Sequence, residues 1–276
     1  MLNNRIAILL ATFNGESRIR LLLNSILNQT CSDFIIYIHD DGSTDKTVSI
    51  VKGYHDKRII LKEDSMRQRG AKNSFMWLLQ NVDADYYMFC DQDDLWLPTK
   101  IQQSLDFIMS VERENPGMPV CIHTDLAVSD ANYSITSKSL WKQSKIKPNY
   151  LEDINYLQVF NCVTGCTMMF NDIAKKKSFP FNEVAPMHDF WVAYQTLAHG
   201  GILTHLPLST IIYCQHGNNE VGANDVGFRY VRNKIEQLFK VIKQNRVKFV
   251  IMHQISGISW ARYLWCKVSY EIIRVI

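Results

Sequence analysis

The sequence predicts an α/β protein with a mostly parallel sheet flanked by helices. Short apolar runs alternate with helix-patterned segments about four times in the first hundred residues, which is typical of βαβ units. The runs are continuously apolar rather than alternating, as in strands buried on both faces. Acidic residues follow two of these runs, at the position where α/β sheets bind ligands.

The individual elements follow from apolar spacing and from turn residues. The predicted strands are 5–11, 34–39, 58–61, 86–89, 120–126, 202–205 and 208–214. The predicted helices are 16–28, 44–54, 71–81, 99–115, 187–199, 228–252 and 258–275. Ser43 or Thr44 can cap the second helix. The polar stretch 127–156 is predicted to be irregular, and Gly165 to mark a close backbone approach within an apolar segment.

Composition places the chain among ordinary globular proteins. Its 276 residues are 47% hydrophobic and 21% charged, which allows a large domain with an appendage or two small domains. The net charge of +3 gives no reason to expect a nucleic-acid partner. From Asn224 onward, ten Lys/Arg stand against three Asp/Glu, so we expect a domain over 1–223 and a basic helical tail over 224–276.

Cysteine usage and the N-terminus predict a cytoplasmic protein. The seven cysteines are scattered, and no pair has zinc-ribbon spacing, so free thiols in a reducing compartment are expected. The N-terminal residues have no basic segment followed by an apolar one, which predicts no signal peptide. No uncharged apolar run of about 18 residues is found, so no membrane-spanning helix is expected.

The most informative stretch is Tyr86–Lys100, YYMFCDQDDLWLPTK. A buried strand is followed at once by Asp91, Asp93 and Asp94, with no basic residue beside them. Repulsion among these three like charges is costly unless a cation is bound beside them. A hard divalent cation prefers oxygen ligands of this kind. The alternative is a solvated acidic turn before a helix that starts at Pro98, since helix starts favour Asp and Pro.

A second acidic strand end favours the functional interpretation. Asp40 and Asp41 also follow a strand, and the ends of parallel strands line one edge of a sheet. Neither a glycine-rich phosphate loop nor a G-x-S-x-G elbow is present. A cation that holds a diphosphate, together with a separate carboxylate base, describes glycosyl transfer from a sugar nucleotide.

Several motifs, in the same order along residues 5–222, resemble those of the family-two inverting glycosyltransferases with the GT-A fold, most closely their bacterial rhamnosyltransferase branch. The motifs are ATFNGE (11–16), DDGSTD (40–45), RGAKN (69–73), DQDDLW (91–96), TGCTMMFN (164–171), MHDFW (187–191) and QHGNNEVGA (215–223). The resemblance implies a nucleotide-sugar donor, a glycan or lipid-linked acceptor, and Mn²⁺ or Mg²⁺ as cofactor.

The resemblance also assigns roles to residues. The donor-binding set it implies is Ala11, Thr12, Phe13, Asn14, Glu16, Asp41, Lys72, Asp91 and Gln92. Within that set, Asp41 is expected on the pyrimidine base and Lys72 near the nucleotide. The expected metal ligands are Asp93 and His216, although a lone His is often a surface or core residue. Asp189 aligns with the catalytic base.

The resemblance also implies a set of residues on the acceptor side, and several of them have two possible roles. The set is Gly165, Cys166, Trp96, His188 and Trp191. The two tryptophans can stack on a sugar or belong to the core, and His188 can orient the base or be exposed. The helix dipole should lower the pKa of Asp189, and burial or neighbouring acids should raise it.

Three positions depart from the pattern of the branch and leave the donor open. Phe13 replaces a common Tyr, Lys72 a common Arg, and Cys214 a frequent Arg that contacts the diphosphate. We expect an inverting, metal-dependent enzyme that moves rhamnose from dTDP-rhamnose to a bacterial surface glycan. The alternatives are a UDP-hexose or hexosamine transferase, a noncatalytic sugar-nucleotide-binding subunit and, third, a nucleotidyltransferase.

The basic tail has two interpretations. Basic and apolar residues alternate on its helical pattern, and Trp260, Tyr263 and Trp265 suit an interface. The tail can pack on the catalytic domain, or it can lie on the anionic inner face of the plasma membrane. A lipid-linked acceptor favours the second, peripheral location.

Overall fold

The computed structural model describes residues 5–63, 70–215 and 238–275, with the side chains of 238–244 excepted. The strands are β1 (Ile6–Thr12), β2 (Phe34–Asp40), β3 (Ile59–Lys62), β4 (Tyr86–Cys90), β5 (Leu95–Trp96), β6 (Val120–Ser129), β7 (Ile135–Ser137), β8 (Met168–Asn171) and β9 (Ile202–Cys214). Within the described residues they form one sheet in the order β3-β2-β1-β4-β8-β6-β9-β5, and β7 pairs with β6.

Helices flank this sheet and follow it at the C-terminus. They are α1 (Ile19–Leu27), α2 (Thr47–Lys52), α3 (Gly70–Gln80), α4 (Lys100–Glu114), α5 (Leu140–Gln143), α6 (Pro148–Leu151), α7 (Ile154–Leu157), α8 (Asp172–Lys177), α9 (His188–Ala198), α10 (Leu238–Ser256) and α11 (Trp260–Ile273). The predicted α/β class with a C-terminal helical extension is confirmed.

The first half of the sheet is parallel, and the second half is mixed. Strand β1 pairs in parallel with β2 and with β4, and β2 pairs in parallel with β3. Strand β8 runs antiparallel to both β4 and β6, so β6 points the same way as β4. The acidic ends of β2 and β4 therefore lie at one edge of the sheet, as predicted.

Two apolar clusters, one on each face of the sheet, explain the continuous apolar runs. In β1, Ala7 and Leu9 belong to one cluster, whereas Ile6, Ile8 and Leu10 belong to the other. All five are fully buried. A strand covered on both faces needs apolar residues at every position.

The structure corrects three details of the predicted elements. Helix α2 begins at Thr47, and Ser43 does not cap it; the Ser43 hydroxyl instead donates to Asp40. Residues 202–214 form one strand rather than two. Pro207 lies at a register shift between β6 and β9, where the strand can continue although Pro cannot donate a hydrogen bond. The stretch 127–156 is not irregular throughout, since it holds the end of β6, strand β7 and helices α5, α6 and α7.

The last helix packs on the rest of the fold. Tyr263, Cys266 and Tyr270 on α11 are buried in the same apolar cluster as α3 and α9. The Lys147 backbone N–H donates to the Tyr270 hydroxyl at 3.1 Å. The predicted boundary after residue 223 lies outside the described residues and stays a prediction.

Candidate active site

The loop after β1 is tied to both acidic strand ends. The Thr12 hydroxyl donates to Asp40 at 2.9 Å. The Phe13 N–H donates to Gln92 Oε1 at 3.0 Å, and Gln92 Nε2 donates back to the Phe13 carbonyl at 2.9 Å. A Cβ at Gly15 would lie 2.4 Å from Gln92 Oε1, so a larger residue there would displace this amide from its two hydrogen bonds with Phe13. Thr12, Phe13 and Gln92 therefore form one unit.

Asn14 and Glu16 hold the neighbouring turn after β2. Asn14 adopts a positive φ of 49°, and its side-chain oxygen accepts from the Thr44 N–H at 2.9 Å. Glu16 accepts from the Lys46 N–H at 2.9 Å. Both side chains shape the rim of the predicted donor site, next to the partly buried Ala11.

Asp41 and Lys72 link helix α3 to the site. The Asp41 N–H donates to the Thr12 carbonyl at 2.8 Å, and Asp41 Oδ2 accepts from the Gly70 N–H at 2.8 Å. Lys72 Nζ donates to the carbonyls of Glu183 at 2.7 Å and Ala185 at 3.0 Å. The Lys72 ammonium thus joins α3 to the segment before α9, and its contact with a nucleotide stays a prediction.

Two of the three acids that follow β4 lie together with a cysteine, and the role of Asp93 as a metal ligand stays a prediction. Ligand atoms of Asp91, Asp94 and Cys166 lie within 4.8 Å of one another, whereas Asp93 is not in this group. Asp94 is fully buried, and apart from the Cys166 thiol beside it neither of its carboxylate oxygens has a hydrogen-bond partner within the described residues. Burial raises the pKa of Asp94 well above its usual range, and the charges of Asp91 and Asp93 add to the rise.

This cluster fits a divalent cation. The charge of a buried carboxylate is costly, and the buried Lys100 nearby offsets only part of that cost, because the pKa of Asp94 stays raised; a divalent cation against Asp94 would offset more of it. Asp91 and Asp94 offer oxygen atoms, which Mg²⁺ and Mn²⁺ prefer. Burial also raises the pKa of the Cys166 thiol well above its usual range, so Cys166 offers a neutral sulfur. His216, the other predicted ligand, lies outside the described residues.

Sequence reasoning missed a cation beside the acidic cluster. Arg18 Nη1 donates to Cys214 Sγ at 2.7 Å, and its guanidinium lies 5.4 Å from the centre of the Tyr133 ring. The Tyr133 hydroxyl donates to the Asp93 carbonyl at 3.2 Å. Burial raises the pKa of Cys214, with smaller contributions from Asp93 and Asp94, so this thiol is close to both acids. Arg18 is 196 positions from Cys214, and no local signal could have paired them.

Asp189, the predicted base, sits in the first turn of α9 with fixed orientation. Its Oδ2 accepts from the Gly165 N–H at 3.1 Å, and its Oδ1 accepts from Asn161 Nδ2 at 3.4 Å. The side chain is partly exposed, as access by an acceptor requires. Burial by its surroundings raises the pKa of Asp189 to about 6, despite hydrogen bonds from Phe190 and Gly165 that lower it. Burial therefore outweighs the hydrogen bonds that stabilise the charged form of Asp189.

Gly165 allows this geometry, and His188 is a core residue. A Cβ at Gly165 would lie 2.8 Å from His188 Nε2, which confirms the predicted close approach. His188 is buried rather than exposed, and its ring lies 4.2 Å from the Phe75 ring and 4.6 Å from the Phe89 ring. Neither ring nitrogen has a partner in the described residues, and burial lowers the pKa of His188 to about 3.

The two tryptophans of the predicted acceptor side are also buried. Trp96 is 3% exposed and lies under the Lys100 ammonium, 4.8 Å from its ring centre. Trp191 is 4% exposed, and its indole N–H donates to the Ser178 carbonyl at 2.7 Å. Both rings pack in the core, where stacking on a sugar would require them to move.

The base and the acidic cluster meet at two consecutive residues. Gly165 binds the Asp189 carboxylate through its N–H, and Cys166 directly follows with its sulfur in the cluster of Asp91 and Asp94. Asp41, the acidic cluster and Asp189 thus lie along one edge of the sheet. The arrangement can hold a charged leaving group on one side and remove a proton on the other.

Comparison with solved structures assigns the fold. The structure of Staphylococcus aureus TarS 1-349 in complex with UDP superposes with a TM-score of 0.62, 16% identity, 97% coverage of this chain and 70% of that chain. The mannosyltransferase PcManGT of Pyrobaculum calidifontis, in complex with GDP-Man and Mn²⁺, gives a TM-score of 0.60 at 15% identity, covering 98% of this chain and 73% of that chain. The fold is that of the GT-A glycosyltransferases.

A family comparison then assigns the chain itself. The model of Glycosyl transferase family 2 matches residues 7–176. The match covers more than half of the sequence, so the chain belongs to glycosyltransferase family 2 and is a glycosyltransferase. The matched range contains the loop after β1 and the acidic cluster, whereas Asp189 lies beyond it.

Two characterised relatives differ in their sugars. The dTDP-rhamnosyl transferase RfbG of Shigella flexneri is 29% identical over 231 residues, covering 78% of this chain and 74% of RfbG. The UDP-Glc:alpha-D-GlcNAc-diphosphoundecaprenol beta-1,3-glucosyltransferase WfaP of Escherichia coli is 33% identical over 103 residues, covering 37% of this chain and 41% of WfaP. The chain thus spans most of RfbG and less than half of WfaP.

Proposed function

We propose that the protein is an inverting, metal-dependent glycosyltransferase that transfers rhamnose from dTDP-rhamnose. The observation that carries the mechanism is the junction at Gly165 and Cys166, where an oriented carboxylate base adjoins a buried carboxylate cluster. A base on one side of the anomeric carbon and a charged leaving group on the other suit a single displacement with inversion.

In this reaction the acceptor oxygen bonds to the anomeric carbon as the bond to the diphosphate oxygen breaks. Asp189 takes the hydroxyl proton, and Gly165 and Asn161 hold its carboxylate in place. Asp91 and Asp94, with Asp93 beside them, would hold a divalent cation. The chemistry that this cation supplies is neutralisation of charge on the leaving diphosphate.

The identity of the donor rests on similarity. The 74% coverage of RfbG supports dTDP-rhamnose. A second candidate, glucose or another hexose from a UDP donor, is supported by the 33% identity to WfaP. In both cases the Asp41 carboxylate, buried and next to the first loop, would face the pyrimidine base.

We further propose a lipid-linked or polysaccharide acceptor in the synthesis of a bacterial surface glycan such as O-antigen or capsule. The name of WfaP specifies alpha-D-GlcNAc-diphosphoundecaprenol, a lipid-linked sugar, as its acceptor, and this similarity supports the assignment. Such an acceptor lies at the inner face of the plasma membrane, so a peripheral location there follows.

A donor screen tests the proposal. The full chain is incubated with Mn²⁺ or Mg²⁺, a lipid-linked acceptor and either dTDP-rhamnose, UDP-glucose or UDP-GlcNAc, and product and nucleoside diphosphate are measured. We expect turnover with dTDP-rhamnose, and preference for a UDP sugar would select the second candidate. Binding of donors without turnover or hydrolysis would favour a noncatalytic subunit.

Two variants locate the chemistry within that assay. Asp189→Asn is expected to abolish transfer and keep donor binding, because the amide cannot take a proton. Asp93→Ala, at the metal ligand that the family resemblance implies, is expected to abolish transfer and weaken metal-dependent donor binding. Asp33→Asn, an exposed carboxylate at the start of β2, is the matched control and should behave like wild type.

A further inference from the structure

The C-terminal helix exposes an apolar stripe, formed by Trp265, Val268 and Ile272 on α11 and Val275 just beyond it. These side chains are 72%, 56%, 55% and 58% exposed. Their spacing of three or four positions places them on one side of the helix. The other side, with Tyr263 and Tyr270, is buried in the core. Helix α11 is thus apolar toward the protein and also toward the outside.

Exposed large apolar side chains are concentrated here. Seven of the thirteen in the described part of the chain fall between residues 247 and 275, and the others are scattered from Phe13 to Leu208. Scattered apolar residues are ordinary on a protein surface, whereas a contiguous apolar patch marks a binding surface. The stripe is therefore a candidate binding surface.

Lysines adjoin the end of this stripe. Lys142, Lys145 and Lys147 line a cavity of about 550 Å³ together with Arg274 and Val275, the last member of the stripe. The Arg274 guanidinium donates to the Ser144 carbonyl at 2.6 Å, which fixes the end of α11 against the lysine segment. All three lysines are exposed. The apolar stripe and the lysine rim therefore form one continuous surface.

Helix α10 extends the same combination of apolar and basic residues. Its Val247 and Val250 are 57% and 51% exposed, and Arg246 and Lys248 beside them are also exposed. Phe249 of α10 packs 4.8 Å from the Trp260 ring of α11, so the two helices are in contact. Among the described side chains of residues 245–275, Arg246, Lys248 and Arg262 are exposed and no acidic residue is, so the exposed charge on these helices is cationic.

We propose that this surface docks on a bilayer that contains anionic phospholipids. The stripe would lie in the headgroup region, with Trp265 at the level where indole rings are favoured, and the lysine rim would face lipid phosphates. Within the described residues no helix is long and apolar enough to cross a bilayer, which fits attachment in the plane of the surface. A second copy of the chain fits less well, because a two-fold interface would bring the same lysines together.

The docking proposal stands apart from the proposed reaction, because it needs neither donor nor acceptor. Its test is flotation of the full chain with vesicles of phosphatidylglycerol and phosphatidylcholine, and with vesicles of phosphatidylcholine alone. We expect strong binding to the anionic vesicles only. Each lysine near an anionic surface contributes about fivefold to partitioning, so K142Q/K145Q/K147Q should weaken binding more than tenfold.

Matched variants separate this surface from general effects. W265S/I272S is expected to weaken vesicle binding more than tenfold, whereas I135S/V184S, which removes exposed apolar residues elsewhere, should bind like wild type. K52Q/K57Q/K177Q is the control for charge. Unchanged thermal unfolding of all variants shows that the fold is intact, which is expected because only exposed side chains change.

A second readout reports the depth of Trp265. Lipids with brominated acyl chains should quench tryptophan fluorescence of the wild-type chain, and Trp265→Phe should lose most of that quenching. Absence of wild-type binding to anionic vesicles, or equal binding by W265S/I272S, would overturn the proposal. A dimer in solution that W265S/I272S dissociates, without vesicle binding, would assign the surface to a second copy instead.

Discussion

Arg18 Nη1 donates to Cys214 Sγ at 2.7 Å and so joins the start of α1 to the end of β9. The contact places a guanidinium beside Tyr133, whose hydroxyl binds the carbonyl of Asp93. A fixed cation next to the acidic cluster is suited to bind a diphosphate, because a guanidinium offers several donors in a planar fork. Arg18 is thus placed to supply a diphosphate contact that Cys214 cannot make.

We therefore expect Arg18→Ala to lower kcat/KM about 10- to 100-fold, the range for loss of a charged hydrogen bond. Arg18→Lys should recover part of the loss, since it keeps the charge and loses the fork. Steady-state kinetics with the donor varied is the measurement, with the exposed Arg20→Ala as control. Wild-type kinetics for Arg18→Ala would remove this residue from the site.

The raised pKa of Asp189 predicts a pH profile. With a pKa of about 6, the carboxylate is ionised above pH 6 and protonated below it, so the base is lost as the pH falls. We expect kcat/KM to be flat above about pH 7 and to fall about tenfold per unit below pH 6. Donor binding measured by calorimetry over the same range separates this loss from weaker donor binding. A profile that stays flat to pH 5 would contradict the assignment of Asp189.

His188 offers a test of whether a buried imidazole has a role beyond packing. Its ring nitrogens are buried without partners in the described part of the fold, and its ring stacks on Phe75. His188→Phe keeps an aromatic ring and removes two unsatisfied polar atoms, so we expect a gain of about 1–2 kcal/mol in the free energy of unfolding. Urea denaturation measures it.

The matched variant for this prediction is His123→Phe. His123 also has two buried ring nitrogens without described partners, and it lies 5.4 Å from the Trp141 ring. Stabilisation of both variants with full activity means that the two histidines act by packing alone. Loss of activity in His188→Phe only, with the fold intact, would instead make His188 a positioning residue for Asp189.

The attachment of α11 predicts that substitutions on its buried side destabilise the fold far more than substitutions on its exposed side. Tyr270 is 1% exposed, so Tyr270→Ala should lower the free energy of unfolding by about 3–5 kcal/mol. Tyr270→Phe removes only the hydroxyl that accepts from Lys147, and should cost about 1 kcal/mol. Trp265→Ala, on the exposed side, should change it by less than about 0.5 kcal/mol. Equal effects of the two alanine variants would mean that α11 does not pack as described.

Local sequence patterns determined the α/β class, the main strands and the acidic strand ends. Continuous apolar runs predicted β1, β2 and β4, because burial on both faces demands apolar residues at every position. The parallel arrangement then required the ends of β2 and β4 to share an edge. Patterns were less informative at element ends, where side-chain hydrogen bonds such as Ser43 to Asp40 decide the local structure.

Only the tertiary structure decided which side chains meet and what surrounds them. The pairing of Arg18 with Cys214, the burial of Asp94 beside Cys166 and the outward side of α11 depend on contacts between distant segments. The same holds for the pKa of Asp189, because desolvation raises it and hydrogen bonds from Gly165 and Asn161 lower it. Periodicity along the chain determines the elements, whereas burial, which sets charge and exposure, arises only when those elements pack.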